Sequence, residues 1–435
     1  DIVHRAAELG VNASVNGIDF GTLRDYRLRV VKTMVGGLAG LLAHRGITVF
    51  RANAAFHADE IAPATSNHIV RLVPSPGQND ILTYHKADVP EPSGPTMDLT
   101  ATNIVIATGA KPRPLPGNPF AGALIDSTQA LEVNEFPSSA VIIGAGAIAL
   151  EFASIWNATG SKVTLLIRKD RVLSAWDRRA GTTLTRELKR HGVNIVTRAS
   201  VTHVDTGANL GATVHYTREG QDGEQSVWGE IALVAIGRDP ITDPAWGVTI
   251  DDHGHVATDA YGRTDKPGVW AVGDVTAGHA LAHRAFEQGI VIAETIAGLN
   301  PKPVDEATVP QIVFSFPEAA SVGLTVEQAQ AREDLIEIKE TNYPMLANAR
   351  MLMSGTAGSL TIVSGCDAAN PDTPRVLGVH MVSPMASDII AEAEQLVGNH
   401  VPLADAARLV HPHPTFSETL GEALLKADGR PLHTR

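Results

Sequence analysis

The chain has 435 residues, enough for two or three domains with hydrophobic cores of their own. Hydrophobic residues make up 44 % and charged residues 19 %, a composition typical of a globular protein that excludes a largely disordered one. The 48 acidic residues outnumber the 35 basic ones and give a net charge of −13, which predicts binding neither to nucleic acid nor to an anionic membrane.

Cysteine content and the N-terminal pattern bear on where the protein works. Cys366 is the single cysteine, which excludes an internal disulfide framework and any all-cysteine metal site. No window approaches the ~20 apolar residues that a membrane span requires, and the first thirty residues lack the pattern of a secretory signal. We therefore expect a cytoplasmic protein with no membrane segment, and we predict no metal site.

The first hundred residues predict a helix followed by several strands. Apolar residues at helical spacing indicate a helix after residue 17, and residues 47–50 are typical of a short strand. Residues 68–73 and the run around residues 82–83 suggest an antiparallel hairpin. Residues 103–107 then form a predicted buried strand that ends in Thr108-Gly109.

Residues 141–177 carry the strongest pattern in the chain. The apolar run 141–143 turns on Gly144, Ala145 and Gly146, a helical pattern follows, and a second apolar run covers residues 163–167. This order predicts a βαβ unit with the G-x-G-x-x-G/A dinucleotide fingerprint at its turn. Gly144 allows the tight turn, Gly146 lets the backbone approach a pyrophosphate, and Ala149 lets the helix pack on the strand. We therefore predict a dinucleotide at the amino end of this helix.

The remaining chain predicts further strands and an α+β module. Residues 200–228 indicate a three-stranded excursion, residues 281–296 a long helix, and residues beyond about 306 alternating strands and helices. The buried runs 231–236 and 269–272 end near glycine, in Gly237 and in Gly273-Asp274, as the run 103–107 does. Ligands of open parallel sheets bind at such strand ends.

Seven segments in this order resemble the two-dinucleotide-binding flavoprotein disulfide reductases, the group that includes dihydrolipoyl dehydrogenase and glutathione reductase. These segments are TNIVIATGAKP (102–112), GAGAIALEFA (144–153), ALVAIGRDP (232–240), KPGVWAVGDVT (266–276), LAHRAFEQG (281–289), FSFPEAASVGLT (314–325) and HPHPTFSETLGEA (411–423). The resemblance implies an α/β protein with a Rossmann-like FAD- and NAD(P)-binding fold and a C-terminal α+β dimerisation domain.

The resemblance also implies a domain order. An FAD domain would cover residues 1–136 and 263–305, an NAD(P) domain residues 137–262, and an interface domain residues 306–435. The interface domain would make a homodimer. The implied function is an FAD-dependent NAD(P)H oxidoreductase that passes a hydride between nicotinamide and flavin.

Site residues carry over from the family by position. Asp274 resembles the acid that holds the flavin ribityl chain. The residues implied to contact flavin are Thr108, Gly109, Ala110, Asp274, Ala280, Leu281, Ala282 and His283. Those implied to contact the nicotinamide nucleotide are Gly144, Ala145, Gly146, Ala147, Ile148, Ala149, Glu151 and Gly237.

His413 and Glu418 resemble the catalytic dyad of the family motif H-P-T-x-S-E. A histidine can exchange a proton with a substrate near neutral pH, and a carboxylate can orient its ring. His411 is the weaker candidate, because the motif places the base directly before Pro-Thr. In the family the dyad serves the flavin site of the partner subunit.

The nicotinamide preference is left open by the residues after the second strand. NAD-specific relatives usually place an acid there, whereas this chain has Ile167, Arg168 and Lys169. Adjacent cations suit the 2′-phosphate of NADP better, and a solvated basic turn is the alternative.

Two features of the family do not occur in this sequence: an FAD fingerprint turn and a C-x-x-x-x-C redox pair. We expect Asp1 to correspond to a point just beyond that pair, in an N-terminally truncated FAD domain. Three functions stay open. They are an incomplete form of a disulfide reductase, a cysteine-free dehydrogenase that reduces a quinone or oxygen, and a non-catalytic nucleotide-binding dimer or remnant.

Overall fold

The computed structural model describes residues 3, 5–62, 67–84, 90–207 and 211–434, which fall into two compact units. The first unit contains the described residues up to Lys111 together with Asp239–Val304, and the second contains Pro112–Arg238 together with the residues from Asp305 onward. Within these described ranges no helix has both the length and the apolar content that crossing a membrane requires. The finer division of the chain at residues 136, 262 and 305 stays a prediction.

The first unit begins with one long helix and a series of short strands. Helix α1 spans Phe20–His44, and the strands are β1 (Val49–Arg51), β2 (Asn53–Ile61), β3 (His68–Val73), β4 (Leu82–Tyr84), β5 (Pro90–Pro92), β6 (Met97–Ala101), β7 (Ile104–Ile106) and β8 (Ala110–Pro112). The first six strands form two antiparallel sheets, in the orders β1-β4-β5 and β2-β3-β6. The expected hairpin between residues 68–73 and 82–83 is therefore wrong, because β3 and β4 belong to different sheets.

Helix α1 confirms the prediction made from the helical spacing of its apolar residues, but none of these residues is buried. The Asp19 carboxylate accepts a hydrogen bond from the Thr22 amide at 3.0 Å and so caps the helix. Most of its large apolar side chains are exposed, among them Met34 at 70 % and Val35 at 61 %. The pattern thus predicted the helix and not the environment of its apolar face.

The second unit begins with a parallel sheet whose strands are buried on both faces. Its elements are β9 (Leu124–Ile125), α2 (Ser127–Leu131), β10 (Ser139–Ile143), α3 (Ala147–Ala158), β11 (Lys162–Ile167), α4 (Arg178–Arg190) and β12 (Asn194–Thr197), followed by β13 (Ala199–Asp205), β14 (Ala212–Arg218), β15 (Gln225–Gly229) and β16 (Ile231–Val234). Strand β17 (Arg238–Pro240) follows where the chain leaves this unit. The sheet order is β12-β11-β10-β16-β9, and all pairs are parallel. Continuous apolar runs form these strands because helices and a second sheet cover both faces.

The predicted three-stranded excursion is confirmed as the antiparallel sheet β13-β14-β15. Its inward side chains, among them Val214 and Tyr216, pack against the outer face of the parallel sheet. The alternate residues of the same strands point away from this core.

Between Asp239 and Val304 the chain returns to the first unit and adds β18 (Val269–Ala271) and α5 (Ala282–Ile296). Strand β18 pairs in parallel with β7, and the Val272 amide extends the ladder by donating to the Ile106 carbonyl at 3.0 Å. The carboxyl ends of these two strands therefore lie side by side.

The second unit is completed by the predicted α+β module. Its elements are β19 (Gln311–Val313), β20 (Glu318–Gly323), α6 (Val326–Gln330), β21 (Leu335–Pro344), α7 (Ala349–Ser354), β22 (Ser359–Asp367), β23 (Asn370–Ser383), α8 (Ala386–Gly398), α9 (Leu403–Ala406) and α10 (Glu418–Ala427). The antiparallel sheet has the order β19-β20-β23-β22-β21, and α8 and α10 pack on it around a common core.

Candidate active site

The turn from β10 into α3 has the geometry that its glycine pattern predicts. Gly144 has φ +141°, and a Cβ atom there would collide with the carbonyl oxygen of Ala235, on the loop after β16. The same Cβ would stand 3.5 Å from that of Ala149, which is fully buried where α3 meets the sheet. Gly144 is therefore required by both its backbone conformation and the close approach of the segment after β16.

Open space lies over the next glycine, at the amino end of α3. Gly146 is the N-cap residue, its backbone is extended, and an added Cβ would meet no described atom within 4 Å. Among the described residues no side chain caps the helix, and the first amides of an α-helix have no acceptor within it. Because these donors and the positive helix end face an open cradle, the residues fit the pyrophosphate of a dinucleotide. Ala145, Ala147 and Ile148 form the rest of this turn.

The end of β11 presents cations and no acid. Ile167 is 1 % exposed and points into the core, so its side chain is not available to a ribose. Arg168 and Lys169 follow on the surface. Among the described residues neither side chain makes an ion pair, whereas the neighbouring Asp170 pairs with Arg171 and Arg178. The end of β11 therefore carries two cations that could bind a nucleotide phosphate.

Gly237 and Glu151 complete the residues expected around the nicotinamide nucleotide. Gly237 follows β16 with φ +129°, and its carbonyl accepts a hydrogen bond from the Arg113 amide at 3.1 Å. The Arg113 guanidinium lies 3.7 Å from the position of a Cβ on Gly237, a neighbour that the sequence did not indicate. The Glu151 carboxylate accepts from the Phe314 amide at 3.0 Å, so it joins α3 to the segment after β19.

In the first unit, two turns at adjacent strand ends carry residues expected to contact flavin. Thr108 and Gly109 follow β7, and the Thr108 hydroxyl donates to the Ile241 carbonyl at 2.6 Å. Gly273 follows β18 with φ +76° and donates its amide to the Gln288 side chain at 2.9 Å. Asp274 comes next and is partly exposed. Ala110 starts β8 directly after the first turn.

The amino end of α5 has no side-chain cap within the described ranges, so its backbone amides could donate hydrogen bonds to the carbonyl oxygens of a flavin ring. Leu281 is the N-cap residue. Ala280, Ala282 and His283 are exposed. An exposed helix end and an acid at a strand end suit the ring carbonyls and the hydroxyl chain of a flavin, so the residues present fit this half of FAD.

A buried arginine that the sequence did not indicate holds this region together. Arg284 is 3 % exposed, and its guanidinium donates to the Thr276 hydroxyl at 3.4 Å and to the Ala277 carbonyl. These bonds connect the first turn of α5 to the segment after β18. Nothing in the local pattern distinguished Arg284 from an exposed helical arginine.

The expected dyad forms within the second unit. His413 Nδ1 lies 2.7 Å from Glu418 Oε2, and the His413 side chain is 77 % exposed while that of Glu418 is 16 % exposed. The other Glu418 oxygen accepts from Asn348 Nδ2 at 2.7 Å. Asn348 is 3 % exposed, and it also donates to the Thr415 carbonyl and caps α7. The imidazole thus presents Nε2 outward on a fixed carboxylate.

Asn348 was missed because it precedes Glu418 by 70 residues. The only signal was an asparagine placed before a helical run, which predicts a cap. A buried amide with three partners is a stronger constraint than a cap alone, because each of its bonds is desolvated.

His411 forms a second and separate pair. Its Nε2 lies 2.8 Å from Glu392 Oε1, and its side chain is 9 % exposed. The hydrogen bond to Glu392 raises the pKa of His411 above its ordinary value, against the opposing effect of burial. The His411 imidazole is therefore committed to Glu392, which agrees with its being the weaker candidate for the catalytic base.

Cys366 lies near the end of β22, an interior strand of the α+β sheet, and is fully buried. Burial raises the pKa of its thiol, so the thiol stays protonated and closed to substrates. This geometry is that of a structural cysteine.

Comparison with known proteins matches most of the chain to one family. Residues 5–289 match the family described as pyridine nucleotide-disulphide oxidoreductase, and residues 309–424 match its dimerisation domain. A dihydrolipoyl dehydrogenase of Geobacillus stearothermophilus is 32 % identical over 431 residues, which cover 98 % of this chain and 84 % of that protein. Another, from Cupriavidus necator, is 38 % identical over 341 residues, covering 77 % and 70 %.

A solved structure shares the fold. The crystal structure of LpdA from Mycobacterium tuberculosis superposes with a TM-score of 0.82 over 98 % of this chain and 86 % of that one, at 24 % identity. Together with the sequence matches, this similarity confirms the α/β architecture with a Rossmann-like dinucleotide-binding region and a dimerisation domain.

Proposed function

Because this chain belongs to the pyridine nucleotide-disulphide oxidoreductase family, we propose that it takes electrons from NADPH, bound at the turn from β10 into α3, and delivers them through FAD. The family uses FAD and NAD(P), and the chain is accordingly an FAD-dependent NAD(P)H oxidoreductase similar to dihydrolipoyl dehydrogenase. When both cofactors are bound, the nicotinamide supplies a hydride that the flavin accepts. The observation that carries the proposal is the uncapped helix end behind Gly146.

The chain's own residues form two groups, one for each cofactor. The amides at the start of α3, Gly237 and the cations after β11 would hold the nicotinamide nucleotide. Asp274, the turn at Thr108-Gly109 and the open end of α5 would hold the flavin. Glu151 would act by fixing α3 to the segment after β19, since its carboxylate accepts from Phe314.

The function is tested by the dependence of NADPH oxidation on FAD. Protein stripped of flavin should oxidise no NADPH, and added FAD should restore oxidation in proportion to the flavin retained after gel filtration. Oxidation at the same rate without flavin, or a restored holoprotein that leaves NADPH untouched, would overturn the proposal.

The nicotinamide preference rests on Arg168 and its neighbour Lys169. If Arg168 binds the 2′-phosphate, Arg168→Ala should weaken NADPH binding by about 1.5–3 kcal/mol, the range for a hydrogen bond to a charged group. Binding of NADH should hardly change, because NADH has no 2′-phosphate. Titration calorimetry with both nucleotides measures the two losses.

Lys162→Ala is the matched control, because it removes an exposed cation from the other end of β11. Its affinity for NADPH should equal that of the wild type. Equal losses for NADPH and NADH in Arg168→Ala, or tighter binding of NADH by the wild type, would reverse the assignment.

His413 and Glu418 are proposed to move a proton for a disulfide or dithiol substrate. The 2.7 Å bond from Nδ1 to Glu418 leaves Nε2 as the exposed nitrogen. Asn348 holds the carboxylate from the other side, so the dyad is positioned before any substrate arrives. The dyad fits a disulfide or dithiol substrate in a chain that supplies a redox thiol.

The dimerisation domain supports a homodimer, and the exposed apolar residues beside the dyad would form part of its interface. Val410 is 96 % exposed and Leu409 is 50 % exposed, directly before the dyad segment. We expect a dimer in sedimentation at micromolar concentration. Val410→Asp should raise the dimer dissociation constant at least about tenfold, since about 1.4 kcal/mol of lost interface energy suffices.

Leu131→Asp is the control for this experiment, because Leu131 is 55 % exposed at the end of α2. The control should sediment as the wild type does. A wild-type monomer at micromolar concentration, or an equal loss in both variants, would contradict the placement of the interface.

A second candidate concerns the electron acceptor. The 435 residues contain one cysteine, and it is buried in β22 with a raised pKa. A thiolate is the nucleophile in thiol–disulfide exchange. For these 435 residues alone, this observation favours a quinone or oxygen as the acceptor over a disulfide.

A further inference from the structure

Four ionisable side chains gather on the outward face of the sheet β13-β14-β15, away from the core that this sheet shares with the parallel sheet. His203 lies directly opposite His215 across the β13–β14 pair, and Asp205 follows two residues later on the same face. Glu224 immediately precedes β15, beside His215. We refer to His203, Asp205, His215 and Glu224 as the histidine cluster.

The two imidazoles are stacked, with ring centroids 4.1 Å apart and planes 9° from parallel. Their Nε2 atoms both face Asp205 Oδ2, at 3.9 Å from His203 and 3.1 Å from His215. Their Nδ1 atoms both face Glu224, at 3.8 Å and 3.5 Å. Each carboxylate thus meets one nitrogen from each ring.

This arrangement is unfavourable for two neutral imidazoles on their own. Together they carry two N–H groups for four nitrogens, so two ring lone pairs must face a carboxylate. A divalent cation on one side removes the conflict, because it replaces lone-pair repulsion with coordination.

We propose that His203 Nε2, His215 Nε2 and Asp205 Oδ2 bind a divalent transition-metal ion of the Zn²⁺ class. One ligand atom from each of the three residues lies within 4.8 Å of the others. Tetrahedral zinc with bonds of about 2.0–2.2 Å places its ligands about 3.3 Å apart. His215 Nε2 already lies 3.1 Å from Asp205 Oδ2 and His203 Nε2 lies 3.9 Å from it. All three side chains are partly exposed, which leaves them room to adjust to that spacing.

Glu224 acts as the outer carboxylate of this site. Its carboxylate accepts a hydrogen bond from the Thr202 hydroxyl at 2.6 Å, which holds it beside the two rings. Facing both Nδ1 atoms, it can accept hydrogen bonds from their N–H groups and so leave both Nε2 lone pairs directed at the metal. Carboxylates that orient metal-binding histidines in this way strengthen the site.

The chemistry of the donors decides the class of ion. Two imidazoles and one carboxylate match zinc and its first-row neighbours, whereas calcium and magnesium prefer oxygen ligands only. The proposal departs from the prediction of no metal site, because cross-strand register and not sequence spacing brings the two histidines together. It is independent of the redox function.

The test is titration calorimetry of the full chain with Zn²⁺ after treatment with a chelator. The wild type should bind one ion that Asp205→Asn and His215→Ala each weaken on the order of 100-fold or more. Glu224→Gln should weaken it by about 10–100-fold, as expected for an outer carboxylate. Zinc should also raise the unfolding temperature of the wild type and not that of Asp205→Asn.

His253→Ala is the matched control, since it removes an exposed histidine outside the cluster. It should bind zinc as the wild type does. Asp205 is 66 % exposed, so Asp205→Asn keeps the fold and decides the outcome even where His215→Ala does not fold. Unchanged zinc affinity in Asp205→Asn, equal loss in His253→Ala, or no binding by the wild type at micromolar zinc would overturn the proposal.

Discussion

The purified 435-residue chain, supplied with FAD and NADPH, is expected to reduce a quinone or oxygen and to show little or no lipoamide or glutathione reductase activity. Disulfide reduction needs a thiolate that attacks the substrate sulfur. Cys366 cannot supply it, because it is fully buried in β22 and burial raises the pKa of its thiol. The measurement is NADPH oxidation with each acceptor in turn.

Two variants test whether the thiol or the dyad takes part in electron transfer. Cys366→Ser should change the reduction of neither quinone nor oxygen, since the thiol takes no part. His413→Ala should leave quinone reduction unchanged, because the dyad has no enzyme thiol to serve in these 435 residues. Robust lipoamide turnover that is lost in His413→Ala would show that the chain reduces disulfides without a redox cysteine pair of its own.

Replacing Gly146 with valine should abolish NADPH binding while the protein stays folded. An added Cβ at Gly146 meets no described atom within 4 Å, so the fold tolerates it, but it fills the space over the amino end of α3. Losing two charge-assisted hydrogen bonds of about 1.5–3 kcal/mol each should weaken binding at least about 100-fold. Calorimetry gives the affinity, and thermal unfolding gives the stability.

Gly144→Ala should instead destabilise the fold. Its φ of +141° and the collision of a Cβ with the Ala235 carbonyl should lower the free energy of unfolding by on the order of 2–4 kcal/mol. Gly207→Val is the matched control for Gly146→Val, because Gly207 is exposed and its Cβ would also meet no described atom. Unchanged NADPH affinity in Gly146→Val would place the nucleotide elsewhere.

Local patterns predicted the parts of the fold that depend on local interactions. The βαβ unit around Gly144 is encoded in consecutive residues, two apolar runs joined by a glycine turn and a helical pattern, and it forms as expected. The three-stranded excursion and helix α5 follow for the same reason. Pairing between distant strands was not predicted, because β3 pairs with β2 and β6 and not with β4.

The candidate site divides in the same way. His413 and Glu418 are five residues apart, and their pairing could be expected from the motif. Asn348 and Arg284 could not, since burial and not residue type gives them their roles. The histidine cluster depends on the register of β13 against β14, which includes a bulge between Val201 and His203. A bulge changes which side chains share a face, so spacing along the sequence does not reveal it.

The most direct test of electron entry at the nucleotide turn is anaerobic rapid mixing of the FAD-loaded chain with NADPH, followed by flavin absorbance. We expect the wild type and Gly207→Val to lose the absorbance of oxidised flavin in a single turnover, without any added acceptor. Gly146→Val should lose it much more slowly at the same NADPH concentration. Flavin that stays oxidised in the wild type, or is reduced equally fast in Gly146→Val, would contradict the claim that electrons enter at the turn between β10 and α3.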